Sequence, residues 1–510
     1  MPYAYQYPAL RSSLIALKAF WASVLLFFVL IHSPAPVQAE EPVELSGKYK
    51  GCNVILIILD ALRPDHLSCY GYSGKTSPNI DALGDKGVVF SNAFSTASYT
   101  MPGVASLFTS LYPYSHNMID VFKDRMPDKV LTLAQILNDQ GYNTVWFGAL
   151  GEAHTGAAKG LLNGFKEKLN LQYNPVVTTT GDFNRVCRWI NKNSRSKFFI
   201  TVHSYFTHEQ TFPFFRGDNE FSRLVSDELK NELDDLWQKW SAEWIMNTNI
   251  FIDSEEERNK SVRNRQLWAD ASMNFGRNLN EGKLQQMLFL LDSAIYEADK
   301  NLVGGIIAEL KAQGINDKTI IVITADHGNE YKEHGLMGHG SQLYDESIHV
   351  PLVYYLPGLN NGIRIDSLVK SIDTLPTVLD LLAIPVPAQA QGISLIGLLE
   401  DKRHLPVNEF VFSQGVNGIF SIRSDKWKYI RGVTYLPNGR QGVFEHLFDL
   451  QNDKSEKEDQ IGSRPEIARE LRSRLARWQK TLVRYNSGKS EFPPEVTQEM
   501  RERIRKTGYW

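Results

Sequence analysis

The chain has 510 residues, 43% of them hydrophobic and 22% charged, a composition of folded protein that argues against wholesale disorder. That length suits two ordinary domains or one large α/β domain with an appendage. A formal charge of −3 at pH 7 offers no basic field for nucleic acid, and three cysteines without a CxxC pair exclude a disulfide framework and a zinc module.

In chain order, Arg11 and Lys18 precede an apolar stretch over residues 19–31, and Val37-Gln38-Ala39 follows a proline-containing segment. Basic flank, short apolar core and small-residue site form the pattern of a secretory signal over residues 1–39. The core is shorter than the roughly 20 residues that a spanning helix requires. An exported chain is expected, periplasmic or secreted, with no stable membrane span once the signal is cut. An uncleaved N-terminal anchor is the alternative. Residues 40–51 read as a linker.

Beyond the linker, strand-like and helix-like segments alternate. Residues 53–59 (NVILIIL) form the kind of unbroken apolar run expected of a strand buried on both faces. Similar runs occupy 143–148, 197–202, 319–324 and 349–355, with helical patterns at 104–111, 131–139, 294–313 and 372–382. This order predicts an α/β fold whose central, mostly parallel sheet is flanked by helices. Residues 215–290 break the rhythm: they are polar, helix-prone and carry Trp237, Trp240, Trp244 and Trp268. They read as a helical insertion, either over an active site or as a solvated appendage. Further on, strand-like runs at 411–423, 427–431 and 442–450 precede a helical pattern at 464–484. A smaller C-terminal α+β subdomain with a tail is therefore expected over 401–510.

Ligands of parallel sheets bind beyond the carboxyl ends of the strands. Asp60 ends the first run, Thr207-His208 follows 197–202, and Asp326-His327 follows 319–324. A single acid at such a place is usually a helix cap or turn former, but three strand ends bearing Asp, His and Asp-His form an uncommon set. Thr100, in Ser98-Tyr99-Thr100-Met101-Pro102-Gly103, stands at the mouth of an apolar helix, with Pro102 suited to its first turn. Backbone N–H groups there favour a phosphoryl or sulfuryl group held at Thr100. A plain threonine cap is the bland alternative.

Seven segments carry a family resemblance: NVILIILDALRPDHLSCYGY, SPNIDALGDKGVVFSNAF, TMPGVASLFTSLYP, GYNTVWFG, TIIVITADHGNEYKEHGLMGHG, YDESIHVPLV and LFDLQNDKSEKED. In this order, over about residues 52–460, the chain resembles the sulfatase-like branch of the alkaline phosphatase superfamily. The resemblance implies a catalytic domain over 52–400 and one divalent cation beside a nucleophile. It assigns Asp60, Thr100, Asp326 and His327 as metal ligands, with Thr100 as nucleophile. By the same resemblance His208 and His339 contact the transferred group or the leaving oxygen.

The departures from that family bear on the reaction. Sulfatases carry Cys or Ser in a C/S-x-P-x-R motif, oxidised to formylglycine; here the motif reads Thr100-Met101-Pro102-Gly103-Val104. A family lysine is replaced by Ala149, and the usual paired acids are Asp60-Ala61. Threonine cannot become formylglycine. Its single hydroxyl suits a phosphothreonine intermediate that water or an alcohol attacks at phosphorus, as in Thr-nucleophile transferases of the superfamily. The expectation is a hydrolase or transferase of phosphate or phosphonate esters or of phosphodiesters. Sulfuric ester hydrolysis is the alternative, and a glycan-binding pseudoenzyme the third reading; either enzyme would take an anionic ester as substrate. Three oxygens and an imidazole favour zinc, with calcium, magnesium or manganese as alternatives. Asp65, His66, His334, Asp345 and Glu346 read as loop-capping or anchoring groups, and Glu330 as a candidate for proton transfer that the pattern does not require.

Overall fold

Every side chain of Asn53–Leu59 (β1) is buried, so this strand lies between neighbours in a sheet covered on both faces. The computed structural model describes residues 44–119, 124–148, 160–170, 183–208, 218–235, 278–400, 408–435 and 441–485. The further strands of its first part are β2 (Val88–Phe94), β3 (Asn143–Gly148), β4 (Glu167–Asn170), β5 (Phe198–Ser204) and β6 (Thr319–Thr324). They are followed by β7 (Glu330–Tyr331), β8 (Met337–Gly338), β9 (His349–Val350), β10 (Leu352–Tyr355) and β11 (Ile363–Lys370).

The central sheet runs in the order β11-β2-β10-β6-β1-β5-β3-β4, with β9 paired to β2. β1 is parallel to both β5 and β6, β3 is parallel to β5 and β4, and β2 is parallel to β11. Only β10 and β9 run against their neighbours. The chain thus places the carboxyl ends of β5, β1 and β6 side by side, where a ligand is expected.

Helices flank this sheet, and their burial follows the spacing of their apolar residues. Phe183–Asn193 buries Phe183, Val186, Trp189 and Ile190, one face of the helix, and leaves its charged residues outward. The expected helix over 294–313 is longer and broken: Glu281–Ala298 passes through a π turn, Asp299–Val303, into Gly304–Ala312. Its start lies further upstream because the Asn280 side chain caps it by accepting from Lys283 N–H. Pro351 splits the run 349–355 into β9 and β10, since proline supplies no N–H to a ladder.

The C-terminal subdomain is an antiparallel sheet of β12 (Val411–Gln414), β13 (Phe420–Arg423), β14 (Trp427–Tyr435) and β15 (Gln441–Asp449), in that order. Helix Pro465–Thr481 lays Ala468, Leu471 and Leu475 against Ile422, Tyr429 and Leu447. A buried ion cluster fastens this sheet to the rest. Lys428 donates to Asp345 Oδ1 at 2.8 Å and pairs with Glu456 Oε1 at 2.9 Å, while the Arg423 guanidinium reaches Asp345 Oδ2 at 3.2 Å. Asp345 thereby anchors the segment ahead of β9.

Of the expected insertion, residues 218–235 and 278–290 are described and contain no strand; Trp237, Trp240, Trp244 and Trp268 lie outside the described residues. The signal pattern over 1–39, Ala149 and the tail beyond 485 lie outside them too. Among the described residues no helix is long and apolar enough to cross a membrane.

Candidate active site

Asp60 follows β1 directly, and Asp326 and His327 follow β6 after one alanine; all three are fully buried. His203 lies within β5, beside Ile58 of β1, and is 1% exposed. One ligand atom each from Asp60, His203 and Asp326 falls within 4.8 Å of the others. His203 Nε2 is 3.2 Å from Asp60 Oδ2 and 3.6 Å from Asp326 Oδ2. His327 Nε2 lies 3.5 Å from Asp60 Oδ1 and 3.6 Å from Asp326 Oδ2. The four groups surround one small volume.

Their hydrogen bonding fits a cation in that volume. Both carboxylate oxygens of Asp60, Asp326 Oδ2 and both ring nitrogens of His203 are buried without a hydrogen-bond partner. Asp326 Oδ1 is turned the other way and accepts from His327 N–H at 3.1 Å and Ala61 N–H at 3.4 Å. The His327 ring directs Nδ1 to the Gly328 carbonyl at 2.7 Å, which fixes the Nδ1–H tautomer and leaves the Nε2 lone pair facing the carboxylates. Two buried carboxylates with orphaned oxygens cost several kcal/mol each unless a positive charge compensates them. Two carboxylates and two imidazoles suit zinc or manganese better than calcium.

Burial pulls the pKa of His203 down, but the adjacent carboxylates of Asp326 and Asp60 outweigh it and push the imidazole up to about 9. Burial pushes the Asp326 carboxyl up, and the neighbouring His327 and His203 side chains reverse that and hold it below its ordinary range. Trp146 stacks on His203 with ring centres 5.6 Å apart and closes the cluster on that side.

Thr100 is the first residue of helix Thr100–Thr109 rather than a residue ahead of it, and Tyr99 is its cap. Its Oγ1 is 3.2 Å from His327 Nε2, so the hydroxyl borders the carboxylate–imidazole cluster. Pro102 falls in the first turn, where its missing N–H removes no bond. Gly103 is required by close approach: a Cβ there would sit 2.5 Å from the Asp326 carbonyl. The helix mouth is thus pressed against the end of β6.

His208 follows the turn Tyr205–Thr207, and its Nε2 lies 3.0 Å from His339 Nε2 and 4.0 Å from Asp60 Oδ1. His339 follows β8, and its ring centre is 4.2 Å from that of His327. Burial, opposed by Asp60 and reinforced by His327, takes His208 down to about 4. Burial and the two neighbouring imidazoles lower His339 well below its ordinary value. One Nε2–H of this neutral pair therefore donates to the other nitrogen. All six expected site residues, Asp60, Thr100, His208, Asp326, His327 and His339, meet in one place, and His203 joins them.

The remaining candidates stand apart from that contact network. His66 Nδ1 pairs with Asp292 Oδ1 at 2.6 Å, Asp65 with Arg63 Nη2 at 2.6 Å, and His334 stacks on Tyr344 with ring centres 3.5 Å apart. Glu330 is buried, with Oε1 accepting from His334 N–H at 2.7 Å and Oε2 unpartnered. Burial, with the charges of Glu333 and Glu346, raises its carboxyl from 4.5 to about 8. The folded chain then holds a proton that the unfolded chain has lost, so stability falls as pH rises from about 4.5 through about 8. Glu330→Gln is expected to flatten that part of the profile and to melt above wild type at pH 9, as read by Tm against pH. Parallel profiles for the two proteins would contradict this.

The fold is a mostly parallel sheet with carboxylates and imidazoles gathered at its central strand ends, joined to a small C-terminal antiparallel sheet. Residues 52–384 match the family described as Sulfatase, and residues 332–481 match the one described as N-sulphoglucosamine sulphohydrolase, C-terminal. The chain belongs to the sulfatase family of hydrolases. It is 24% identical to the Delta 4,5-hexuronate-2-O-sulfatase of Bacteroides thetaiotaomicron, over 80% of this chain and 84% of that protein. It is also 24% identical to the ulvan-active sulfatase of Formosa agariphila, over 74% of this chain and 72% of that one. The structure of a phosphonate monoester hydrolase of Agrobacterium radiobacter shares the fold, with a TM-score of 0.61 and 19% identity over 84% of this chain and 95% of that chain.

Proposed function

We propose that the chain is a metal-dependent hydrolase of an anionic ester, with Thr100 as nucleophile and a sulfuric ester on a carbohydrate as the leading substrate class. One observation carries the nucleophile: a helix-mouth hydroxyl 3.2 Å from His327 Nε2, beside buried carboxylates that lack partners. The relatives support the substrate class, since their names specify a hexuronate 2-O-sulfate and ulvan. On this point they favour sulfuric esters over the phosphoryl esters expected from Thr100 alone.

Asp60, His203, Asp326 and His327 would hold the cation, with the Thr100 hydroxyl at its edge and zinc as the best-suited ion. A divalent cation at such a site lowers the pKa of a neighbouring hydroxyl and offsets charge on the transferred group. The first-turn N–H groups of the helix face the same anion. Thr100 Oγ attacks sulfur and the S–O bond to the sugar breaks, while the hydroxyl proton passes through the neutral His208–His339 pair to the departing sugar oxygen. Water then attacks sulfur of the sulfated Thr100 and the Oγ–S bond breaks; one water proton returns to Thr100 Oγ and the other leaves with the product as hydrogensulfate. This second step replaces the route of formylglycine sulfatases, in which a second hydroxyl expels the sulfate. The secretory pattern over residues 1–39 supports an exported enzyme.

A second reading, phosphate or phosphonate ester hydrolysis, is favoured by the same threonine and by Val104 in place of the family arginine. A phosphothreonine is released by attack at phosphorus without any further hydroxyl. Purified chain assayed on p-nitrophenyl sulfate, p-nitrophenyl phosphate and bis-p-nitrophenyl phosphate, with zinc, manganese, calcium and magnesium in turn, separates the readings. Turnover of the sulfate supports the leading class. Turnover confined to the phosphorus esters replaces it with the second, and no turnover with any metal contradicts both.

A further inference from the structure

We propose that residues 413–416 of the C-terminal subdomain are a positioning element of the active site, with Gly415 setting the spacing between the Thr100 and His339 segments. The proposal rests on the roles given to Thr100 and His339 above. Three segments far apart in the chain meet here: residues 95–98 ahead of Thr100, Gly340 next to His339, and the end of β12.

Their hydrogen bonds form a continuous frame. Ser413 Oγ donates to the Ser95 carbonyl at 2.6 Å, and Ser95 Oγ donates in turn to the carbonyl of Asp326. Gln414 N–H donates to the Thr96 carbonyl at 2.9 Å, and Gln414 bridges Ala97 in parallel register. The Gly340 carbonyl accepts from both sides, from Val416 N–H at 3.1 Å and from Ser98 Oγ at 3.0 Å. The C-terminal subdomain therefore holds the nucleophile segment with one hand and the His339 loop with the other.

Gly415 sits between these contacts. A Cβ at this position would lie 3.0 Å from the Gly340 carbonyl oxygen and 3.3 Å from Ser98 Oγ, so the neighbours would have to give by a few tenths of an ångström. Its backbone, φ −97° and ψ −175°, is extended and open to any residue. Only the contact opposes a side chain here. Attachment of the subdomain is secured elsewhere, by Lys428, Arg423 and Asp345, so a shift at Gly415 displaces the His339 loop without releasing the sheet.

The test uses Gly415→Ala and Gly415→Val in the full, metal-loaded chain, with p-nitrophenyl sulfate and p-nitrophenyl phosphate as probes. In the Ala variant kcat is expected to fall about tenfold and in the Val variant further, since sub-ångström misplacement of reacting groups is costly. KM, bound metal and Tm of the Ala variant are expected to match wild type. Its crystal structure should show the His208–His339 Nε2 separation lengthened from 3.0 Å with Asp60, His203 and Asp326 unmoved. Wild-type kcat with an unmoved histidine pair overturns the proposal. A fall in kcat that comes with lost metal or lowered Tm also overturns it, because Gly415 is then merely structural. Thr100→Ala, assayed beside them, keeps the two claims apart: if it is inactive while Gly415→Ala is at wild type, only the positioning role fails. If Thr100→Ala keeps its turnover, the nucleophile reading fails. Should neither probe be turned over, the His208–His339 separation alone decides.

Discussion

Asp326→Asn and His327→Ala are expected to lose bound cation and turnover together. Asparagine keeps the size of Asp326 and the Oδ1 acceptor used by His327 N–H and Ala61 N–H, so the end of β6 retains its shape. It replaces the partnerless Oδ2 by an amide that cannot ligate as an anion. His327→Ala removes the nitrogen that faces both carboxylates and Thr100. Loss of groups that merely orient metal ligands already costs about 10–100-fold in affinity or activity, so loss of a ligand should exceed that range. His203→Ala belongs to the same experiment, because its ring nitrogens are buried between the two acids and lack partners. Elemental analysis of each purified variant, beside kcat, checks the set. Full occupancy in Asp326→Asn and His327→Ala would contradict the assignment of the cluster.

The sequence shows most where burial is complete. β1, β3 and β6 lie at the bounds expected of them, because each is a run of apolar residues with scarcely a polar interruption. β2 and β11 were not expected as strands. Ser91 and Asn92 interrupt β2 at partly exposed positions, and a register shift between Ile365 and Leu368 spoils the alternation of β11. The helix after Tyr99 begins earlier than its apolar pattern suggests, since Pro102 is tolerated in a first turn and Thr100 needs no apolar partner.

The site divides in the same way. Asp60, Asp326, His327 and His208 are visible as polar residues just past apolar runs, and family motifs single out Thr100 and His339. His203 is not visible, because it belongs to the buried strand FFITVHS and a lone histidine there reads as packing. The usable signal is its register: it pairs with Ile58, two residues before Asp60, so β1 and β5 bring it beside that carboxylate. The contribution of Gly415 is also beyond sequence reasoning, because three distant segments must fold before its missing side chain matters.

Thr100→Ala is expected to retain the fold and the cation but to lower kcat by about 10⁴-fold or more, the scale on which loss of a nucleophile is felt. A methyl group at this position neither attacks nor borders His327 Nε2 with a hydroxyl. Thr100→Ser should keep part of the activity, since the hydroxyl remains but loses the χ1 restriction of a β-branched residue. Rapid quenching during turnover, followed by exact-mass analysis of the peptide containing Thr100, should find one added sulfuryl or phosphoryl group and tell the two apart. The most direct measurement is kcat of Thr100→Ala at full metal occupancy, on whichever probe ester the wild-type chain hydrolyses. The account predicts near-complete loss of turnover with metal content and Tm unchanged; wild-type turnover in that variant would contradict it.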